Sequence, residues 1–94
     1  DYPQLLLCIN DPPPVITVLG HTHLWKSKPS LAIVGSRNAS AGGCALAQKL
    51  AGDLSEDGLT IVSGLARGID SFAHRGALAG GTVAVIAGGI DNIY

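Results

Sequence analysis

The sequence is poor in charge, in aromatic rings and in cysteine. Only 14% of its residues are Asp, Glu, Lys or Arg, while 47% are apolar. That balance excludes a disordered polyelectrolyte and favours a packed core. The net charge of −1 gives no global pull toward nucleic acid or a membrane surface. Any anion binding must therefore come from local clustering. One Trp, one Phe and two Tyr leave the interior to aliphatic side chains. An α/β interior fits, because its buried strands read as aliphatic runs. Cys8 and Cys44 are isolated, with no CxxC and no His/Cys ligand spacing. They read as reduced thiols of a cytoplasmic protein, although counting alone leaves a single bridge open. No apolar stretch of about 18 residues occurs and no basic segment precedes an apolar one, so neither a membrane span nor a signal peptide is expected.

At 94 residues the chain can hold one small core. It starts "DYPQ" without an initiator methionine and stops at Tyr94 soon after a strong strand pattern. It is expected to be part of a larger protein, with an approach segment over 1–30 and the start of a core domain over 31–94. "LLLCI" (5–9) is too short to assign, and the prolines of "NDPPPV" (10–15) require an extended or turned chain. "VITVLG" (15–20) is a strand candidate and "HTHLWKSKPS" (21–30) a polar loop.

From there the pattern alternates. "LAIVG" (31–35), "LTIVSG" (59–64) and "TVAVIAG" (82–88) are aliphatic runs closed by glycine, hence buried strands. Between the first two, Ser40–Asp57 reads as a helix. Cys44, Ala47, Ala51 and Leu54 recur at helical spacing, Ser40 can cap the start, and Gly58 suits the end. Between the second and third, a helix is predicted from about Ile69 to Ala79, with Ile69, Phe72, Ala73 and Ala77 as its apolar stripe and Gly80-Gly81 as its stop. Order β-α-β-α-β with short connections predicts three adjacent parallel strands and right-handed crossovers.

Ligands of open α/β sheets bind beyond the carboxyl ends of the strands. Those ends carry "GSRNAS", "SGLARGID" and "AGGIDN". Gly35 lets the chain turn, Ser36 and Ser40 offer hydroxyls, and Arg37 has the forked donor that suits phosphate. The N–H groups that open the next helix have no helical partners and favour anions. A plain capped turn with a solvated arginine fits the same residues. The second loop repeats the design, with Ser63 and Arg67 as donors and Gly64 and Gly68 as conformationally free positions. Asp70 reads as a helix-start acid favoured by the dipole. One turn on, His74 shares its face, so Asp70 could also fix that imidazole's tautomer. Arg75 reads as a solvated helix residue.

Other ligand classes lack their signatures. "GSRNAS" has arginine where a dinucleotide fingerprint needs its second glycine. There is no glycine-lysine-Ser/Thr ending of a phosphate-binding Walker loop, and no GxSxG nucleophile elbow. His21 and His23 have no partner cluster for a metal. Trp25 could stack a base, but packing against a turn is the more common role of such a tryptophan and is the preferred reading.

Taken together, "LAIVGSRNAS", "TIVSGLARGIDSFAHRGAL" and "GGTVAVIAGGIDNIY" resemble the core of the DNA-processing protein A (DprA/Smf) family. The resemblance rests on Gly35-Ser36-Arg37, Ser40, Ser63-Gly64, Ala66, Gly68-Ile69-Asp70 and Ala73-His74, and covers nearly the whole chain. It implies a Rossmann-like three-layer α/β fold with a mainly parallel sheet. It implies non-catalytic binding of single-stranded DNA, help in loading RecA recombinase onto DNA during natural transformation, a cytoplasmic location and self-association. No cofactor or metal is implied. Gly35, Ser36, Arg37, Ser40, Ser63, Gly64, Arg67 and Gly68 carry over as DNA-binding candidates. With so few aromatic residues, base stacking should be minor and sequence preference weak.

The rival is a nucleotide-hydrolysing enzyme of the lysine-decarboxylase-like relatives. Their PGGxGTxxE signature would fall at "AGGIDNIY", which lacks the glycine-threonine pair and the glutamate.

Overall fold

The computed structural model describes residues 3–11, 13, 18–20 and 29–87, except the side chain of Leu5. Within them a one-turn helix α1 (Gln4–Leu7) is followed by β1 (Ser30–Ala32), α2 (Ala41–Glu56), β2 (Thr60–Ser63), α3 (Ile69–Ala77) and β3 (Thr82–Ala84). The strands form one sheet in the order β1-β2-β3, and both pairings are parallel. Leu31 stands opposite Ile61, and Val62 opposite Val83. The predicted β-α-β-α-β order and parallel pairing hold. The strand candidate at 15–20 and the loop at 21–30 fall largely outside the described residues, as do Trp25, His21 and His23.

The helices obey local sequence signals. Ser40, with φ −65° and ψ 161°, caps α2 by accepting from Gly43 N at 3.0 Å. Gly58, at φ +94°, follows its end. The predicted stripe of α2 faces inward: Cys44, Ala47 and Ala51 are buried and Leu54 half-buried. The stripe of α3 differs from expectation. Its buried residues are Asp70, Ala73, His74 and Ala77, while Ile69 and Phe72 are only half-buried. Phe72 instead lies under the Arg75 guanidinium, 4.8 Å from its ring centre. The helix also stops at Ala77, two residues before its predicted end.

Ala51 of α2, Ile61 of β2, and Ala73 and Ala77 of α3 form one cluster, joined by Ile33 and Leu54. Both long helices thus lie on one face of the sheet, as right-handed crossovers between sequentially ordered strands require. Sheet and helices make two of the expected layers. By strand alternation Val34 and Val85 point to the opposite face, and both are largely exposed.

The strands are shorter than their aliphatic runs. Ile33 N still donates to Val62 O at 3.0 Å, and Val85 N to Ser63 O at 2.9 Å. Then the backbone amides of Gly35 and Gly64 leave the ladder and turn to the Asp70 carboxylate.

Candidate anion-binding edge

Two glycine-marked loops lie side by side beyond β1 and β2. They are joined directly, because Ile69 N donates to Ser36 O at 3.2 Å. Gly68 makes this approach possible. It sits at φ +79°, and a Cβ there would run into Ser36 O and come within 2.8 Å of Arg37 O. Only glycine adopts that backbone without strain.

Asp70 fastens the pair from beneath. Its Oδ1 accepts from Gly35 N at 3.2 Å and its Oδ2 from Gly64 N at 3.0 Å. The side chain comes from the first turn of α3 and the residue is buried. Sequence reasoning saw the helix-start acid but missed this bridge, since one of its partners is 35 residues away. Next to Gly64, Leu65 has φ +64°, a left-handed conformation shared by no other non-glycine among the described residues.

The predicted site residues divide into distinct roles. Arg37 and Arg67 are both exposed, one in each loop. Ser36 Oγ accepts from Asn38 N at 3.0 Å, stabilising its own turn. Ser40 caps α2. Ser63 is buried, and its hydroxyl donates to Ile33 O at 2.6 Å, within the sheet. It is not offered to the edge as a surface donor. Gly35, Gly64 and Gly68 make room: a Cβ on Gly35 would meet Ile69 Cγ1 at 2.8 Å, and one on Gly64 would meet Asp70 Oδ2 at 2.9 Å. The third loop lies outside the described residues from Gly88 onward.

The two helix starts differ. At α2, Gly43 N goes to Ser40 Oγ and Cys44 N to Ser40 O, but the amides of Ala41 and Gly42 have no acceptor among the described residues. At α3, Ile69 N is taken by Ser36 O, Ser71 N by Ala66 O and Phe72 N by Gly68 O. Asp70 N has no acceptor among the described residues, so the start of α2 keeps its first two amides open and the start of α3 only its second.

His74 is not held by Asp70. Its Nδ1 lies 2.9 Å from Thr82 Oγ1, whose hydroxyl donates to Ile61 O at 2.7 Å. With that hydroxyl proton committed, Nδ1 must be the donor, so the neutral ring carries its proton there. Nε2 is buried and lacks a partner among the described residues. Burial lowers the His74 pKa below 6.5, while the nearby charge of Asp70 opposes the shift. No group of three or more metal-ligating side chains occurs among the described residues, and no helix there is long and apolar enough to cross a membrane.

A parallel α/β sheet with helix-start amides and exposed arginines at its carboxyl edge defines a class: an open α/β module whose strand-end edge has the chemistry that suits anions. Within that class the family is specific. The family model for DNA recombination-mediator protein A matches residues 1–94, and the chain belongs to this family. It is 44% identical to DNA processing protein DprA of Streptococcus pneumoniae (strain ATCC BAA-255 / R6) over 95 residues, which is 99% of the chain and 33% of that relative. It is 43% identical to Protein Smf of Synechocystis sp. over 99 residues, covering 100% of the chain and 25% of that relative. The chain thus spans a quarter to a third of these relatives' length. Among solved structures, that of DNA processing protein A from Helicobacter pylori, concerned with its single-stranded DNA binding mode, superposes with a TM-score of 0.92 at 31% identity. It covers 100% of this chain and 43% of that one. The Streptococcus pneumoniae DprA structure matches with a TM-score of 0.67 at 44% identity, covering 77% of this chain and 25% of that one.

Proposed function

We propose that this chain supplies the phosphate-contacting part of a protein that binds single-stranded DNA without catalysis and helps load RecA recombinase onto it. The full protein would act in the cytoplasm as a homodimer. The observation that carries this reading is the start of α2: the amides of exposed Ala41 and Gly42 have no acceptor among the described residues, with exposed Arg37 in the turn before them and Arg67 in the neighbouring loop. Unpartnered N–H groups at the positive end of a helix dipole, together with guanidinium groups, favour phosphate oxygens. The single-stranded DNA binding of the Helicobacter pylori relative supports the same ligand. Phosphate contacts carry no base information, so affinity should vary little with sequence.

Fluorescence anisotropy with a labelled oligonucleotide tests this on the full-length protein across a salt series. Arg37→Ala should weaken binding to all sequences and flatten the slope of log affinity against log salt by roughly 0.7. Lys49→Ala is the control, because Lys49 pairs with Asp53 along the exposed flank of α2. Unchanged affinity and slope in Arg37→Ala would refute the assignment. Turnover of nucleoside monophosphates, abolished by changing His74, would refute its non-catalytic part.

A further inference from the structure

A buried carboxylate is an unusual neighbour for a surface that takes phosphates. Asp70 nevertheless sits at the carboxyl edge, 6% exposed, with each oxygen on the amide of a strand-end glycine. Carboxylate and phosphate oxygens are both anionic acceptors for such amides. The two donors come from the ends of adjacent parallel strands, where an open α/β sheet presents its ligand crevice. The position a small phosphate would take on these amides is therefore already filled by a side chain. Two of the first three amides of α3 are closed as well, since Ile69 N and Ser71 N go to Ser36 O and Ala66 O, while Asp70 N, beside its own carboxylate, has no acceptor among the described residues. Ala41 N and Gly42 N, on exposed residues at the rim, lack an acceptor among the described residues too.

We propose that Asp70 is a built-in anion and a specificity-determining residue: it closes the Gly35 and Gly64 amide pair to free phosphates, so that the edge admits a strand's backbone at its rim and rejects inorganic phosphate and nucleoside monophosphates. This rests on the phosphate-contacting role proposed above. The exclusion is double. The carboxylate fills the space and saturates both donors, and its charge repels a second anion placed against it. Deleting it leaves two inward amides without an acceptor, a costly condition that an entering anion relieves. Alanine is the best helix former, so Asp70→Ala leaves α3 a sound first turn.

The test compares wild-type and Asp70→Ala full-length protein in low-millimolar inorganic phosphate, and separately in a nucleoside monophosphate, against chloride of matched ionic strength. Thermal unfolding and titration calorimetry are the readouts. The variant should bind phosphate. At phosphate tenfold above its Kd, the ratio of folded to unfolded variant should rise about elevenfold. The wild type should not respond. A staple with no part in ligand choice would lose stability on deletion but gain no phosphate affinity. A folded variant that responds to neither anion more than the wild type overturns the proposal, as does a wild type that binds them equally well. If the variant fails to fold in chloride, phosphate-dependent recovery of the fold supports the proposal and its absence overturns it. Failure of the wild type to bind single-stranded DNA would instead remove the function proposed above, and the phosphate comparison would stay readable.

Discussion

Both long helices begin at a glycine-marked turn that carries an arginine, yet their first amides meet different fates. Among the described residues Ala41 N and Gly42 N at the start of α2 are left open, whereas at the start of α3 Ile69 N and Ser71 N are taken by Ser36 O and Ala66 O, and only Asp70 N between them has no acceptor. The difference follows from what precedes each helix. α2 has a serine N-cap, whose hydroxyl satisfies one donor and leaves the first two without an acceptor among the described residues. α3 has Gly68, with no side chain to cap, so the neighbouring backbone closes in and supplies carbonyls instead. The first start is free for a ligand and the second holds the edge together. Similar motifs thus do dissimilar work, and only the acceptors of the amides tell them apart.

The sharpest way to break this division is at Gly68. Gly68→Val places a branched side chain at φ +79° against Ser36 O and Arg37 O. A loss of about 3 kcal/mol or more is expected, from backbone strain plus the forced separation of the loops. Urea unfolding measures it, and a loss below about 1 kcal/mol would mean the loops are not tightly joined.

Proline at the first helical position probes both starts with one chemistry. Proline removes an N–H and is well tolerated there. Ser40 already has the extended backbone that a following proline requires. Ala41→Pro should therefore leave stability within about 0.5 kcal/mol while weakening single-stranded DNA binding several-fold. Ile69→Pro removes the donor to Ser36 O and should cost about 1–3 kcal/mol of stability. Paired unfolding and anisotropy measurements check the contrast, and equal stability losses would erase it.

The smallest effect belongs to His74, which ties α3 to β3 through Thr82. Its folded pKa lies below the ordinary 6.5 because burial disfavours the charged ring. The unfolded chain therefore takes up the proton more readily. The neutral ring's contribution is fully present above pH 6.5 and is lost as pH falls through the folded value. Urea midpoints followed downward from pH 7.5 should decline more in the wild type than in His74→Gln, and parallel curves would contradict this.

Much of the architecture was legible in the sequence because it rests on local signals. The aliphatic runs marked the strands, Ser40 and Gly58 bracketed α2, and the alternation of strand and helix dictated the parallel sheet. Gly35, Arg37, Arg67 and Gly68 were correctly grouped at one edge for the same reason. Other features depend on contacts between distant residues. Periodicity suggested Phe72 for the inward stripe of α3, but His74 lies inside because Thr82 meets its ring. Ser63 looked like a loop donor until its hydroxyl was found on Ile33 O. Nothing in the linear order shows that the amide of Gly35 ends on a carboxylate 35 positions later.

The crossing of α2 and α3 has a consequence for how such sequences can diverge. The helices touch through glycines: a Cβ on Gly52 would stand 3.3 Å from Gly76 O, and one on Gly76 would strike Gln48 O. The first contact is tight but has some slack. The second is against main chain, which every amino acid possesses, so no exchange at position 48 could make room. A side chain at 76 is thus barred however the surrounding sequence drifts, while position 52 can vary if the helices ease apart by a few tenths of an ångström. Among relatives that keep this crossing, glycine at 76 should outlast glycine at 52.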